Sequence, residues 1–345
     1  MSNSIAKPSK LPSNQFDHFY KGGDRIGQLR KGPGGPMRPE EWIGSTTTRF
    51  GQSLNGLSKV EGGQLLKDLI DQDPVSWLGE KHLKKYGSST EILVKLLDPD
   101  QRLPVHYHPD QKFAKEKLHL NHGKTEAWII LEAPAGASVG LGFGKEMAKS
   151  QVSKMVDARD SDGLLASLQK FEVKAGDTVF VPAGTPHAIG AGIFVLELQE
   201  PTDLSALLEW NDFAVDGVKD GHLGLGFDTV LDALRYTPIE KDEASKLVFS
   251  NRLFSNSDQS VFTAVADPYF RADYLAGNNS KVAAGFSIML VLEGNGSIAF
   301  ENNSPIDAVK GDAILIPHSA GSWTLSGASG VVCRPPLAKD ASLAI

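Results

Sequence analysis

The fold is decided by Gly176-Asp177-Thr178-Val179-Phe180-Val181-Pro182-Ala183-Gly184-Thr185-Pro186-His187. A glycine opens a short run of β-branched and aromatic residues, which predicts a strand. A Pro-Ala-Gly turn then bends the chain and delivers a histidine. This is the spacing of a metal-binding β-barrel. Upstream lie His106-Tyr107-His108 and Gly123-Lys124-Thr125-Glu126-Ala127-Trp128. Side chains at i and i+2 of a strand share a face, so His106 and His108 point together into a barrel interior. With His187 arriving from another strand and Glu126 supplying an anionic oxygen, they form a four-ligand nitrogen and oxygen set for a divalent metal. Imidazole and carboxylate without sulfur suit Zn, Mn, Fe, Co or Ni.

The same frame recurs downstream as Gly311-Asp312-Ala313-Ile314-Leu315-Ile316-Pro317. Ahead of each copy runs an apolar strand, Trp128-Ile129-Ile130-Leu131-Glu132 in the first and Met289-Leu290-Val291-Leu292-Glu293 in the second. Such internal similarity predicts two related β-barrels. The first copy is the longer, by about the length of the helical-looking segment 145–170, which reads as an insert. In the second copy Ser287 and Ser322 stand where Glu126 and His187 stand in the first. That barrel lacks the metal chemistry and reads as structural. The chain divides into an N-terminal segment with a metal-binding barrel (1–205), a mostly helical connection (206–250) and a degenerate barrel (251–345). Helical spacing of apolar residues is also present in 62–71, 76–86 and 225–236.

The 345 residues are 41% hydrophobic and 22% charged, an ordinary globular balance with room for both barrels and a generous core. A net charge of −7 argues against a nucleic-acid partner. The basic run Lys81 to Lys85 reads as a solvated helix face. Met1-Ser2-Asn3-Ser4-Ile5 has no apolar signal region, and no apolar stretch approaches the ~20 residues of a membrane span. Cys333 is the sole cysteine, so neither an intrachain disulfide nor a thiolate cluster forms. Its apolar surroundings make it a buried small hydrophobe. A cytoplasmic location follows, and no protein partner is evident.

These residues carry a resemblance. The two Gly…Pro frames are those of the cupin superfamily. From about residue 20 to its end, the chain is similar to the type I phosphomannose isomerases. The matching segments are Pro39-Glu40-Glu41-Trp42 with Ser45, Val94-Lys95-Leu96-Leu97-Asp98, His108-Pro109-Asp110, Gly123 to Trp128, Pro182 to Gly192, and Leu196-Glu197-Leu198-Gln199 with Asp203. The resemblance implies a mainly β bicupin of two jelly-roll barrels with helical insertions. It also implies an aldose–ketose isomerase using one divalent metal, zinc first and iron or manganese as the alternatives. By resemblance the reaction converts mannose 6-phosphate to fructose 6-phosphate, moving a proton between C1 and C2 through an enediol. His106, His108, Glu126 and His187 would hold the metal. Lys124 and Glu197 would be catalytic, and Lys95 and Asp203 would contact the sugar; the alternative readings are Glu197 as the orienter of a ligand histidine and Lys95 as a solvated strand lysine.

Three positions depart from the family. His106 stands where the family has a glutamine ligand. Pro104 stands where a serine helps to hold phosphate. Leu207 falls at the place of an arginine used for catalysis and phosphate. Leucine cannot imitate a guanidinium fork. Arg25, Arg30 and Lys219 are the cations available to substitute. Other readings therefore stand beside the sugar-phosphate isomerase: an isomerase of an unphosphorylated sugar, a cupin-type metal oxygenase, and a non-catalytic sugar-binding protein. Of the remaining histidines, His122 is a weak cleft candidate. His18, His82, His119, His222 and His318 lack ligand-like spacing.

Overall fold

The computed structural model describes residues 6–337. Met1–Ile5, on which the reading of the N-terminus rests, lie outside them. Two antiparallel sheets pack face to face in the N-terminal part. The first runs Val248–Phe249, Thr178–Val181, Glu126–Glu132, Phe194–Gln199, Leu93–Leu97, Glu40–Ile43 in spatial order. The second runs Ala206–Leu207, His106–Tyr107, His187–Ile189, Ser138–Phe143, Leu168–Glu172. Their alternation explains the site. His106 and His187 are directly opposed across a strand pair, and both face inward. The intervening Tyr107 and Ala188 face outward, into an apolar cluster with Val152, Val156 and Leu164. Those three belong to the helices Lys149–Asp157 and Ser161–Ser167, which lie within segment 145–170. The second helix starts where the Asp160 carboxylate accepts a hydrogen bond from Gly163 N–H at 2.9 Å.

The C-terminal part forms, with the N-terminal strand Ser9–Lys10 on its edge, one eight-stranded antiparallel sheet bent over on itself. Two long strands, Ser287–Phe300 and Trp323–Arg334, run side by side, and each exchanges partners along its length. Ser287–Leu290 pairs with Ala313–Ile316, and Asn295–Ile298 pairs with Ile306–Val309. The crossing needs glycine: a Cβ on Gly296 would lie 2.0 Å from the Ser326 carbonyl oxygen. Met289, Val291, Ile298, Ile314, Trp323 and Val332 fill the fold of this sheet. Cys333 is buried within the main core, as its apolar neighbours predict.

Segments 62–71 and 76–86 resolve into short helices Leu66–Gln72, Pro74–Leu78 and Glu80–Tyr86. Residues 206–250 carry only the short helices Gly217–Asp220, Phe227–Val230 and Lys241–Leu247, with a 3-10 turn at Leu231–Ala233. The connection expected to be mostly helical is therefore largely turns and irregular chain. The apolar stripe of 225–236 is used as core, with Val230, Leu231 and Leu234 buried, but it forms barely two turns of helix. Gly224 and Gly226, both at positive φ, limit its start. No helix among the described residues is long and apolar enough to cross a membrane.

Candidate metal centre

His106, His108 and His187 are buried, and their ring nitrogens converge within 4.8 Å of one another. Each ring is fixed from behind in the same way. The Nδ1–H groups of His106, His108 and His187 donate to the carbonyl oxygens of Pro104 (2.8 Å), Leu204 (2.6 Å) and Thr185 (2.8 Å). With Nδ1 protonated, every Nε2 presents a lone pair to the centre. His106 Nε2 and His187 Nε2 stand only 3.0 Å apart. Two lone pairs at that distance repel unless a cation lies between them and the ring system. Burial reinforces the neutral state: it is the main reason His108 and His187 are lowered to about 3 and His106 falls well below the usual imidazole value. Backbone carbonyls orienting the rear nitrogens of neutral imidazoles are the supports a metal site requires.

Glu126 closes the set. Its carboxylate lies 3.0 Å from His108 Nε2 and 3.3 Å from His187 Nε2. Trp128 Nε1 donates to it at 3.0 Å. Burial pushes this carboxyl up, but the adjacent Lys124 ammonium outweighs burial and holds it well below the usual range. Lys124 Nζ is 2.7 Å from Glu126 and 2.8 Å from His108 Nε2. These donors, three imidazole nitrogens and a carboxylate, fit a divalent metal with nitrogen and oxygen preferences.

Beside the centre opens a cavity of about 660 Å³, in the size range of small-molecule sites. His106, Lys124, Glu126 and Glu197 line it, while His108 and His187 stand behind. Strand register builds the adjoining wall. Trp42, Lys95, Glu197 and Trp128 are direct neighbours across four strands and share one face. Glu197 is raised to about 8, first by burial and then by the Glu126 charge. Lys95 is buried, not solvated. Its ammonium lies 3.5 Å from Glu40, 3.6 Å from Glu197 and 3.9 Å from Asp203, and these carboxylates more than offset burial and raise it. Asp203 sits at the rim, accepting Phe50 N–H at 3.1 Å.

Pro104 and Leu207 also line the cavity, as an apolar patch next to His106. Of the cations proposed as substitutes, Arg25 is committed to Asp98 and Arg30 to Glu41; only Lys219 reaches the cavity. His122 pairs with Glu91 at 2.9 Å in a neighbouring cleft, outside this one. Sequence reasoning missed His18, Tyr20, Glu40 and Arg49, all of which line the cavity. Glu40 accepts from Tyr20 Oη at 2.6 Å and Trp42 Nε1 at 2.8 Å. The alternation Glu40-x-Trp42 in a strand was its available signal, because its neighbour Glu41 turns the other way to Arg30.

Fold and site define a cupin-type β protein built to hold a divalent metal. A family model described as phosphomannose isomerase type I, catalytic domain, matches residues 39–127. A mannose-6-phosphate isomerase of Streptococcus mutans is 30% identical over 331 residues, 94% of this chain and 96% of that protein. Mannose-6-phosphate isomerase ManA of Bacillus subtilis is 28% identical over 286 residues, 81% of this chain and 85% of its own length. The crystal structure of a Bacillus subtilis mannose 6-phosphate isomerase superposes with a TM-score of 0.73 at 22% identity, covering 94% of this chain and 98% of that one, which shows the shared fold. The chain belongs to the type I phosphomannose isomerase family.

Proposed function

We propose that the chain is a metal-dependent aldose–ketose isomerase of a sugar phosphate, interconverting mannose 6-phosphate and fructose 6-phosphate. The observation that carries this is the convergence of three neutral, rear-supported imidazoles and Glu126 beside a cavity that also holds a buried lysine and a second carboxylate. His106, His108, Glu126 and His187 are the proposed ligands, and zinc is the proposed metal. When bound, such an ion polarises the sugar's oxygens as a Lewis acid.

The rest of the chemistry belongs to side chains. Glu197, buried against Glu126 and Lys95, is the group assigned to take the C2 proton of the aldose and return it at C1. Its proton affinity, raised by burial, suits a group that must both accept and release a proton near neutral pH. Lys124 carries the positive charge next to the reacting oxygens and stabilises negative charge developing there. Lys95, pinned among three carboxylates, orients Glu197 and contacts the sugar with Asp203. The apolar ring of Trp128 and the buried walls keep water from the exchanging proton.

This work falls to the proposed metal-binding domain, residues 1–205, with 206–250 as a connection and 251–345 as a second, structural cupin barrel. The reducing cytoplasm is its proposed place, in keeping with an unpaired, buried Cys333. The test is a coupled assay of the zinc-loaded protein on mannose 6-phosphate, fructose 6-phosphate and the free sugars, with metal content measured by elemental analysis. Turnover of none of them sinks the isomerase. Native iron or manganese together with oxygen consumption replaces it with an oxygenase.

A further inference from the structure

We propose that Arg49, assisted by Lys219, grips the phosphate end of the substrate at the rim of the metal cavity. This rests on the sugar-phosphate isomerase reading above and names residues for it. Every other cation of this cavity is already spent. Lys124 is bound to Glu126 and His108, and Lys95 stands among Glu40, Glu197 and Asp203. Arg49 is the arginine that lines the cavity, and among the described residues no carboxylate lies within ion-pair distance of it. Its one polar side-chain contact is NH1 to the Asp17 carbonyl oxygen, 3.2 Å. The nearby Asp17 carboxylate is engaged by Arg38.

The guanidinium is nevertheless held in place. It lies 5.6 Å over the Phe16 ring. Arg49 N–H donates to Asn55 O (2.8 Å), and Arg49 O accepts Gln52 N–H (2.9 Å). The next residue, Phe50, is tied by its N–H to Asp203. A stacked, loop-anchored fork whose Nε and NH2 have no hydrogen-bond partner among the described residues is pre-organised for a planar, bidentate grip on a phosphate. Lys219, on the short helix Gly217–Asp220, supplies a second positive charge to the cavity lining. It shares that lining with Asp216 and Asp220, whose charges offset it, so Arg49 carries the larger part. Leu207 adds no donor, because its N–H is taken by Gly221 O at 2.8 Å.

The experiment separates this from isomerisation. Glucitol 6-phosphate and glucitol lack a carbonyl and cannot react, so calorimetry on the zinc-loaded protein reads the phosphate contribution alone. The unmodified protein is expected to prefer the phosphorylated alditol. Arg49→Ala should reduce that preference by about 10- to 100-fold, Lys219→Ala by only a few-fold, and Arg49→Lys should keep part of it. Turnover by Arg49→Ala should fall by a larger factor for mannose 6-phosphate than for mannose. A preference undiminished in Arg49→Ala overturns the assignment, as does equal affinity of the unmodified protein for both alditols. Turnover is scored separately. Absence of isomerisation with the Arg49-dependent preference intact removes the reaction and leaves the phosphate grip standing.

Discussion

The two β units share a frame and differ in what they point inward. In the N-terminal unit Glu126 opposes Val181 and Trp128 opposes Val179, while Glu197 lies beside Trp128. In the C-terminal unit Ser287 opposes Ile316 and Met289 opposes Ile314, while Val332 lies beside Met289. The register is the same, counted from Gly176 in one and Gly311 in the other. Inward positions of the first hold a glutamate pair, a lysine and a tryptophan around open space. The positions matching Glu126, Trp128 and Glu197 hold Ser287, Met289 and Val332 in the second, the last two packed into an apolar cluster. Open polar space and a filled apolar core are thus alternative uses of one backbone. A site needs convergent polar groups, and each of these must be supported because it is buried.

The largest expected effect comes from breaking the convergence itself. His187→Ala removes a proposed ligand, the imidazole held between His106 and Glu126. The loss in metal affinity should exceed the roughly 10- to 100-fold typical of losing an outer-shell partner. Metal analysis after dialysis should show substoichiometric zinc and an assay no turnover. Retention of one zinc per chain would show that the imidazoles serve another end. Next in size is Glu197→Gln, which keeps the shape of the wall but not the proposed base. Turnover should fall by about 10²- to 10⁴-fold with zinc retained. A loss of zinc instead would mark Glu197 as a support for the ligands.

How much of this was legible follows the same division. The Gly…Pro frames and the His106-x-His108 alternation are local patterns, so the strands and the convergence of the three histidines can be read from the chain. Glu126 and Glu197 are placed by strand pairing, but each lies within a segment whose strand character is plain. Arg49 and His18 are a different case. They enter the cavity because the strand Glu40–Ile43 pairs with Leu93–Leu97 and carries its flanking loops along. No short-range spacing encodes that. Lys95 could be placed on a strand but not in its ion cluster, since Glu40, Glu197 and Asp203 come from three separate segments. The connection 206–250 was misjudged for a related reason: its apolar residues are spaced for a helix, yet its glycines cut the helix short.

A smaller effect, in stability alone, should come from the filled unit. Met289 is fully buried against Ile314 and Val332. Met289→Ala opens a cavity in a packed interior and should cost about 2–5 kcal/mol, with the loss set by how far the walls collapse. Denaturant unfolding measures it. Zinc content and turnover per folded molecule should be unchanged, in contrast to any substitution at His187. If Met289→Ala depresses turnover of the folded protein, the second unit is coupled to the site and the contrast between the two weakens.

The smallest effect is expected at Ser322, the counterpart of His187. Ser322 stands just before the strand Trp323–Arg334 and is exposed, with its N–H and Oγ both on Glu301 at 2.9 Å. Ser322→His returns the imidazole of the first frame to the second. It finds Glu301 but no converging imidazoles there, and the strand neighbours that carry Glu126 and Trp128 in one unit carry Ser287 and Met289 in the other. Stability should change by no more than about 0.5 kcal/mol, the range of exposed substitutions. Zinc titration should still find one equivalent per chain. A second tight equivalent would mean that one histidine suffices to open the filled unit, and that the difference between the two lies in a single side chain instead of the whole inward row.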